Sequence, residues 1–186
     1  MKKFSFFISI VLIISSCRGP NVAFVNPQPR FLESIEEIPV DYQGEFIEIG
    51  DGAEELIVVR PTDITLNVDG EVRTYDSLIV KSNGNYLYVN VLNEQGYYEL
   101  YVARLVRCLE YENIKVMAGS IQEEDLNLFN VIDKYTIPSP KSGFLGGDKS
   151  IHVLDDLTVN QLNEYRNAGY NGSALFAPYA EYKRNK

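Results

Sequence analysis

Between Gly44 and Met117 the chain alternates apolar and polar residues with a period of two, and turn residues interrupt the alternation at short, regular intervals. A β-strand puts successive side chains on opposite faces, so this pattern commits the segment to half-buried strands. Glu45–Ile49 and Leu56–Arg60 flank Gly50-Asp51-Gly52, and Ile64, Leu66 and Val68 alternate with Thr65 and Asn67. Asp69-Gly70 and Asn83-Gly84 follow, dipeptides suited to two-residue hairpins because both central positions of a type I′ turn need positive φ. Val72, Thr74 and the run Leu78-Ile79-Val80 lie between them, and Tyr86–Leu92 comes after the second turn. Asn93–Gly96 then leads into a long run from Tyr97 to Cys108, and Asn113–Met117 closes the segment. The pattern predicts a mainly β fold, with about eight strands in an antiparallel up-and-down meander.

Such a meander buries one face either by curling into a barrel or by folding into a two-layer sandwich. The Tyr97–Cys108 run is long for a small flat sheet, and a bend or bulge near Ala103 would carry it across a barrel. In topology the segment resembles the lipocalin and wider calycin barrels, whose first strand opens with Gly-x-Trp. Gln43-Gly44-Glu45-Phe46 stands at the matching place, with Phe for Trp, and the resemblance covers roughly residues 43 to 118. It implies a barrel that binds a small hydrophobic ligand.

The N-terminus carries a separate message. Lys2 and Lys3 precede an apolar run from Phe4 to Ile14, too short to cross a hydrocarbon core of about 30 Å. Ile14-Ser15-Ser16-Cys17 follows at once. Two small residues and a Cys after such a run resemble the lipobox of bacterial lipoproteins. The resemblance implies cleavage of residues 1–16 as a signal peptide, and a diacylglycerol with a further fatty acyl chain, such as palmitate, on Cys17. Several acyl chains anchor a protein stably where one would not. Arg18 follows the Cys, so nothing at that position marks retention at the inner membrane. The expected location is the outer membrane of the cell envelope, with the body in the periplasm or at the surface.

Pro20, Pro27, Pro29 and Pro39 break up residues 17–43, which read as the lipidated Cys and a Pro-rich tether. Phe31, Leu32, Ile35 and Ile38 recur there at helical spacing and fit one or two amphipathic turns. The folded body is expected over 44–186. Beyond the meander, capping boxes at Ser120–Glu123 and Thr158–Gln161 predict two short helices, the first carrying Leu128, Phe129, Val131 and Ile132. A Gly-rich loop is expected near 138–150, and an edge strand interrupted by Pro178 over Leu175–Lys183.

Composition excludes several function classes. The chain has 17 Lys plus Arg against 26 Asp plus Glu. Cleavage would remove two of the bases, leaving a mature charge of −11, unsuited to nucleic acid or to anionic lipid. One His and two Cys speak against a His/Cys zinc site. With Cys17 lipidated, Cys108 reads as a small buried hydrophobe. His152 has no nucleophile motif beside it, and no catalytic signature is assembled, so the expectation is a non-enzyme without metal or cofactor beyond its lipid. Glu123, Glu124 and Asp125, and Asp155 with Asp156, suit helix N-termini.

The compositional oddity is 13 Tyr. Tyr86 and Tyr88 share one strand face, Tyr97 and Tyr101 another, and these four are the candidate ligand-binding residues. Two functions remain open: a lipid-anchored binding module for a small hydrophobic ligand or an envelope protein, and an acidic inhibitor or accessory subunit steered to a basic partner.

Overall fold

The computed structural model describes residues 20–49, 55–68, 70–107, 112–121, 123–137, 149–161 and 176–185. The fold is mainly β, one curled sheet forming a half-barrel. The strands are β1 (Val22–Phe24), β2 (Ser34–Ile35), β3 (Gly44–Glu48), β4 (Leu56–Val59), β5 (Ile64–Val68), β6 (Glu71–Tyr75) and β7 (Leu78–Asn83). They continue as β8 (Tyr86–Leu92), β9 (Tyr98–Arg107), β10 (Glu112–Gly119), β11 (Val131–Ile137), β12 (Lys149–Leu154) and β13 (Phe176–Arg184).

The eight strands expected between residues 44 and 118 are β3 to β10. They do not form one continuous meander. β3–β4–β5–β6 is one antiparallel series and β7–β8–β9–β10 another, and β6 is not paired with β7 among the described residues. What joins the two series is β13, which pairs with β10 on one side and β3 on the other. The C-terminal strand is therefore central, where an edge strand was expected. Pro178 is tolerated there because the register against β10 shifts between Val116 and Met117: Met117 faces Pro178, and Val116 faces Ala180. A bulge excuses the proline from the ladder hydrogen bond it cannot donate. The irregularity expected at Ala103 thus lies at the same level of the sheet two strands away, while β9 keeps an unbroken register with β8 and β10.

Both faces of the β8–β9–β10 region are covered. On the concave side Phe46, Val59, Val80, Leu87, Val89, Ala103, Ile114 and Tyr182 form one apolar cluster. On the convex side Val22, Phe24, Tyr88, Leu100, Val102, Met117 and Phe176 form another. Alternation along β9 sorts Leu100 and Val102 outward and Tyr101 and Ala103 inward.

The N-terminal segment supplies the convex cover. Val22, Ala23 and Phe24 are wholly buried in β1, which lies parallel to β12 and meets β9 at Tyr98. Gln28 is also buried: its backbone N–H donates to Asn90 Oδ1 at 2.6 Å, and Asn90 Nδ2 donates back to its carbonyl at 2.8 Å. Lys81 Nζ donates to the carbonyls of Pro27 and Pro29. The prolines do make this chain irregular, but residues 20–43 are packed into the body rather than paid out as a tether. Nor do Phe31, Leu32, Ile35 and Ile38 share a helical face. Leu32 packs on the convex cluster, Ile35 lies in β2, Ile38 is buried in the concave cluster, and Phe31 is exposed.

The first capping box is followed by a short 3-10 helix, Glu123–Leu128, and Val131 and Ile132 open β11 instead of continuing a helix. Their β-branched side chains suit the β11–β12 hairpin that the helical reading passed over. At the second box Gln161 N–H donates to Thr158 Oγ1, and Thr158 N–H donates to Gln161 Oε1. Whatever helix follows lies outside the described residues, as do the 138–148 loop, Cys17 and Cys108.

The Gly44-x-Phe46 pair has a defined role. Phe46 is fully buried, and the Arg184 guanidinium lies over its ring, 4.6 Å from the centroid. That guanidinium donates to the carbonyls of Gln43 and Asp41 and pairs with Glu112. Gly44 has φ +129°, and a Cβ there would stand 2.6 Å from Arg184 Nη1. Glycine is required both by the backbone and by the guanidinium that crosses it. Phe46→Ala is expected to cost about 3–5 kcal/mol and Gly44→Ala about 1–3 kcal/mol, read as shifts in chemical denaturation midpoint. Wild-type stability in either variant would contradict this account of the closure.

Candidate functional site

The concave face encloses a cavity of about 130 Å³. Side chains of both four-stranded series line it: Ile57, Val59, Ile64, Leu66 and Tyr75 from one, and Leu78, Leu87, Val89, Val91, Tyr101 and Ala103 from the other. Ile114 and Val116 of β10, Tyr179 and Tyr182 of β13, and Tyr42 complete the wall. The gap between β6 and β7 is bridged at this level by side chains, with Tyr75 and Leu78 on its two banks. The lining is aliphatic apart from five phenols. This is the usual make-up of a small-ligand site, an apolar body with a few placed polar groups.

The bulge at Pro178 shapes one wall. Tyr179 is the extra residue there, and it meets Tyr101 edge to face at 5.6 Å and 75°. A bulge re-aims a side chain, here an aromatic one, into the concavity. Tyr101 Oη donates to Glu99 Oε2 at 3.2 Å, and Tyr182 Oη donates to Glu55 Oε2 at 3.3 Å. At the opposite end Tyr42 Oη donates to the Asn85 carbonyl at 2.6 Å.

Burial pushes the phenols of Tyr42, Tyr101, Tyr179 and Tyr182 upward, and nearby carboxylates add to the effect at Tyr101, Tyr179 and Tyr182. At neutral pH all four are neutral hydrogen-bond donors. Burial also raises the Glu99 carboxyl, against the opposing hydrogen bonds of Tyr101 and Asn93 and the charge of Lys149.

Of the four tyrosines singled out from sequence, only Tyr101 lines the cavity. Tyr88 is buried in the convex cluster, and Tyr86 packs against that cluster with Arg104 over its ring at 5.7 Å. Tyr97 stacks on Tyr135 at 5.7 Å and donates to Asp133. The cavity residues of β8 are the aliphatic Leu87, Val89 and Val91, on the face opposite the tyrosines. Tyr75, Tyr179 and Tyr182 were missed because their meeting depends on β13 entering the middle of the sheet. The available signal was the alternation of Tyr179 and Tyr182 around Pro178 in a strand already expected.

The other candidates are structural where they are described. His152 is buried on β12, and burial lowers its pKa. Asp156 accepts hydrogen bonds from Asn26, Gln28 and Arg30, and Asp155 accepts from Asn130. Among the described residues no group of three or more His, Cys, Asp or Glu could hold a metal ion, and no helix is long and apolar enough to cross a membrane. No family model, curated protein or solved structure matches this chain.

Because its folded-state pKa is raised, Glu99 resists ionising, and the stability this protects is lost as pH climbs through that raised value. Glu99→Gln is therefore expected to leave the unfolding midpoint nearly unchanged at pH 4 and to raise it at pH 7. An equal shift at both pH values would show that ionisation of Glu99 is not the cost.

Proposed function

We propose that this chain is a lipid-anchored cell-envelope protein whose half-barrel concavity binds one small hydrophobic ligand without covalent chemistry. The observation that carries the reading is the apolar cavity of about 130 Å³, spanned by side chains of both strand series. A well-packed interior leaves few voids larger than a water molecule, so a void of this size is unusual for a sheet that only has to be stable. An apolar cavity of about 150 Å³ accepts a benzene ring, whereas drug-sized ligands need roughly 300 Å³ or more. The occupant is accordingly one ring or a short alkyl segment, or the tip of a longer molecule.

The anchor rests on Ile14-Ser15-Ser16-Cys17 and the apolar run before it, and the outer membrane is its destination. The resemblance to calycin barrels adds the Gly44-x-Phe46 opening and a concave ligand face. An acidic inhibitor or accessory subunit is the alternative, supported by a mature charge of −11. It gives the cavity nothing to do, and for that reason ranks second.

Two outcomes test the reading. Cells fed an alkyne-tagged palmitate should label the wild-type chain, and Cys17→Ala should abolish the label while the protein is still made. Native mass spectrometry of the chain extracted from its own envelope should show one small apolar adduct. Ala103→Phe and Val91→Phe, which fill the cavity, should both lose it while keeping the wild-type circular dichroism spectrum. An adduct that survives both fillings would move the binding site elsewhere.

A further inference from the structure

We propose that the ligand of this cavity is an amphiphile with a protonated amine head, so that the site discriminates against carboxylates such as fatty acids. The proposal rests on the reading of the concavity as a ligand site and names the class of molecule it takes. Its basis is the polarity of one end of the cavity. Tyr75, Tyr101, Tyr179 and Tyr182 gather there, and the side chains that accept from their hydroxyls are carboxylates, Glu99 for Tyr101 and Glu55 for Tyr182.

The charges acting on Tyr179 and Tyr182 are likewise acidic, Glu48 and Glu55 on both and Glu99 on Tyr179. Lys149, the one base acting on Glu99, lies on β12 and is not part of the cavity wall. The arginines stand at the other end. Arg104 and Arg107 act on Tyr42, Arg104 lies over Tyr86, and Arg107 is already paired with Asp41 and Glu112. The cavity thus has an electrostatic direction, with an acidic end and an end whose bases are engaged outside it.

Ring geometry reinforces the direction. Tyr101 and Tyr179 meet at 75°, so their faces form a corner. A cation within about 6 Å of an aromatic centroid is attracted by the negative ring face, most strongly where water is excluded. An ammonium beside Glu99 would combine that attraction with a charge-assisted hydrogen bond, while its apolar part lies along Leu87, Val89 and Val116. A carboxylate in the same place would confront Glu99 at low local dielectric with no free base on the wall to compensate.

The test is a head-group series on one ring: benzylamine, benzyl alcohol and benzoate, at pH 7. Binding to the full chain in phosphatidylcholine nanodiscs is measured by ligand-observed NMR, with empty discs as the blank. Benzylamine should bind at least about tenfold more tightly than benzoate, the gain expected of one partly desolvated cation–π contact with its carboxylate partner, and benzyl alcohol should fall between. Glu99→Gln should bring benzylamine down to the level of benzyl alcohol without changing the alcohol, and Glu55→Gln gives a second, independent reading of the acidic end. Ala103→Phe should abolish all three.

If benzyl alcohol binds in a manner blocked by Ala103→Phe but benzylamine is no tighter than benzoate, the amine assignment is overturned and the cavity remains a ligand site. If none of the three binds, or binding ignores Ala103→Phe, the cavity reading and the amine assignment both fall.

Discussion

The pairing of β13 with β10 on one side and β3 on the other is the constraint on which the rest of the structure depends. Without it the chain has two four-stranded series, each with one apolar face and nothing to close over it. Short hairpins can assemble each series locally, but joining them needs a partner from more than fifty residues downstream of β10. Arg184 fixes the far end of that join. It covers the Phe46 ring and satisfies the carbonyls of Asp41 and Gln43, whose N–H and C=O groups would otherwise end in a tight turn without partners on that side. One side chain thereby ties the last strand, the first strand of the concave face and the turn before it.

That arrangement also explains why the concave face holds a void. The bulge at Pro178 releases one residue from the ladder, and Tyr179 enters the concavity as a result. Its edge meets Tyr101, and the two large rings hold the wall apart where aliphatic residues would have packed closer. The hydroxyls point their donors at carboxylates and leave ring faces and aliphatic side chains for the interior. Stability and site are made from the same residues here, since Tyr182 belongs to the buried concave cluster and to the cavity wall alike.

Much of the fold was legible because local rules governed it. Period-two alternation and the Asp69-Gly70 and Asn83-Gly84 turns marked eight strands between residues 44 and 118, and all eight formed. At the second turn the ladder closes with Asn83 opposite Tyr86, so the two loop residues are Gly84 and Asn85. What sequence could not supply was the identity of distant partners. Pro178 argued for an edge strand until the bulge showed how a central strand can carry it. Val22 to Phe24 sat among prolines and a presumed tether, with no periodicity long enough to announce a buried strand. Tyr86 and Tyr88 were correctly assigned to one strand face, but which face turned inward depended on the curl of a sheet assembled by non-local contacts. Tyr101 was on the right face for the same reason that Leu87 and Val89 were.

The burial of β1 sets the reach of the molecule. Val22 is already wholly enclosed, so on the proposed lipidation only Arg18 to Asn21 separate the acyl chains from the folded body. Even fully extended, that leash spans only about 17 Å. A body held so closely explores a thin layer over the bilayer and has no access to the open volume of a compartment. Collisions with anything embedded in the same leaflet become nearly two-dimensional, at the high effective concentrations that short linkers impose. A ligand dissolved in that membrane, or a partner standing in it, meets this protein far more often than its bulk concentration would suggest.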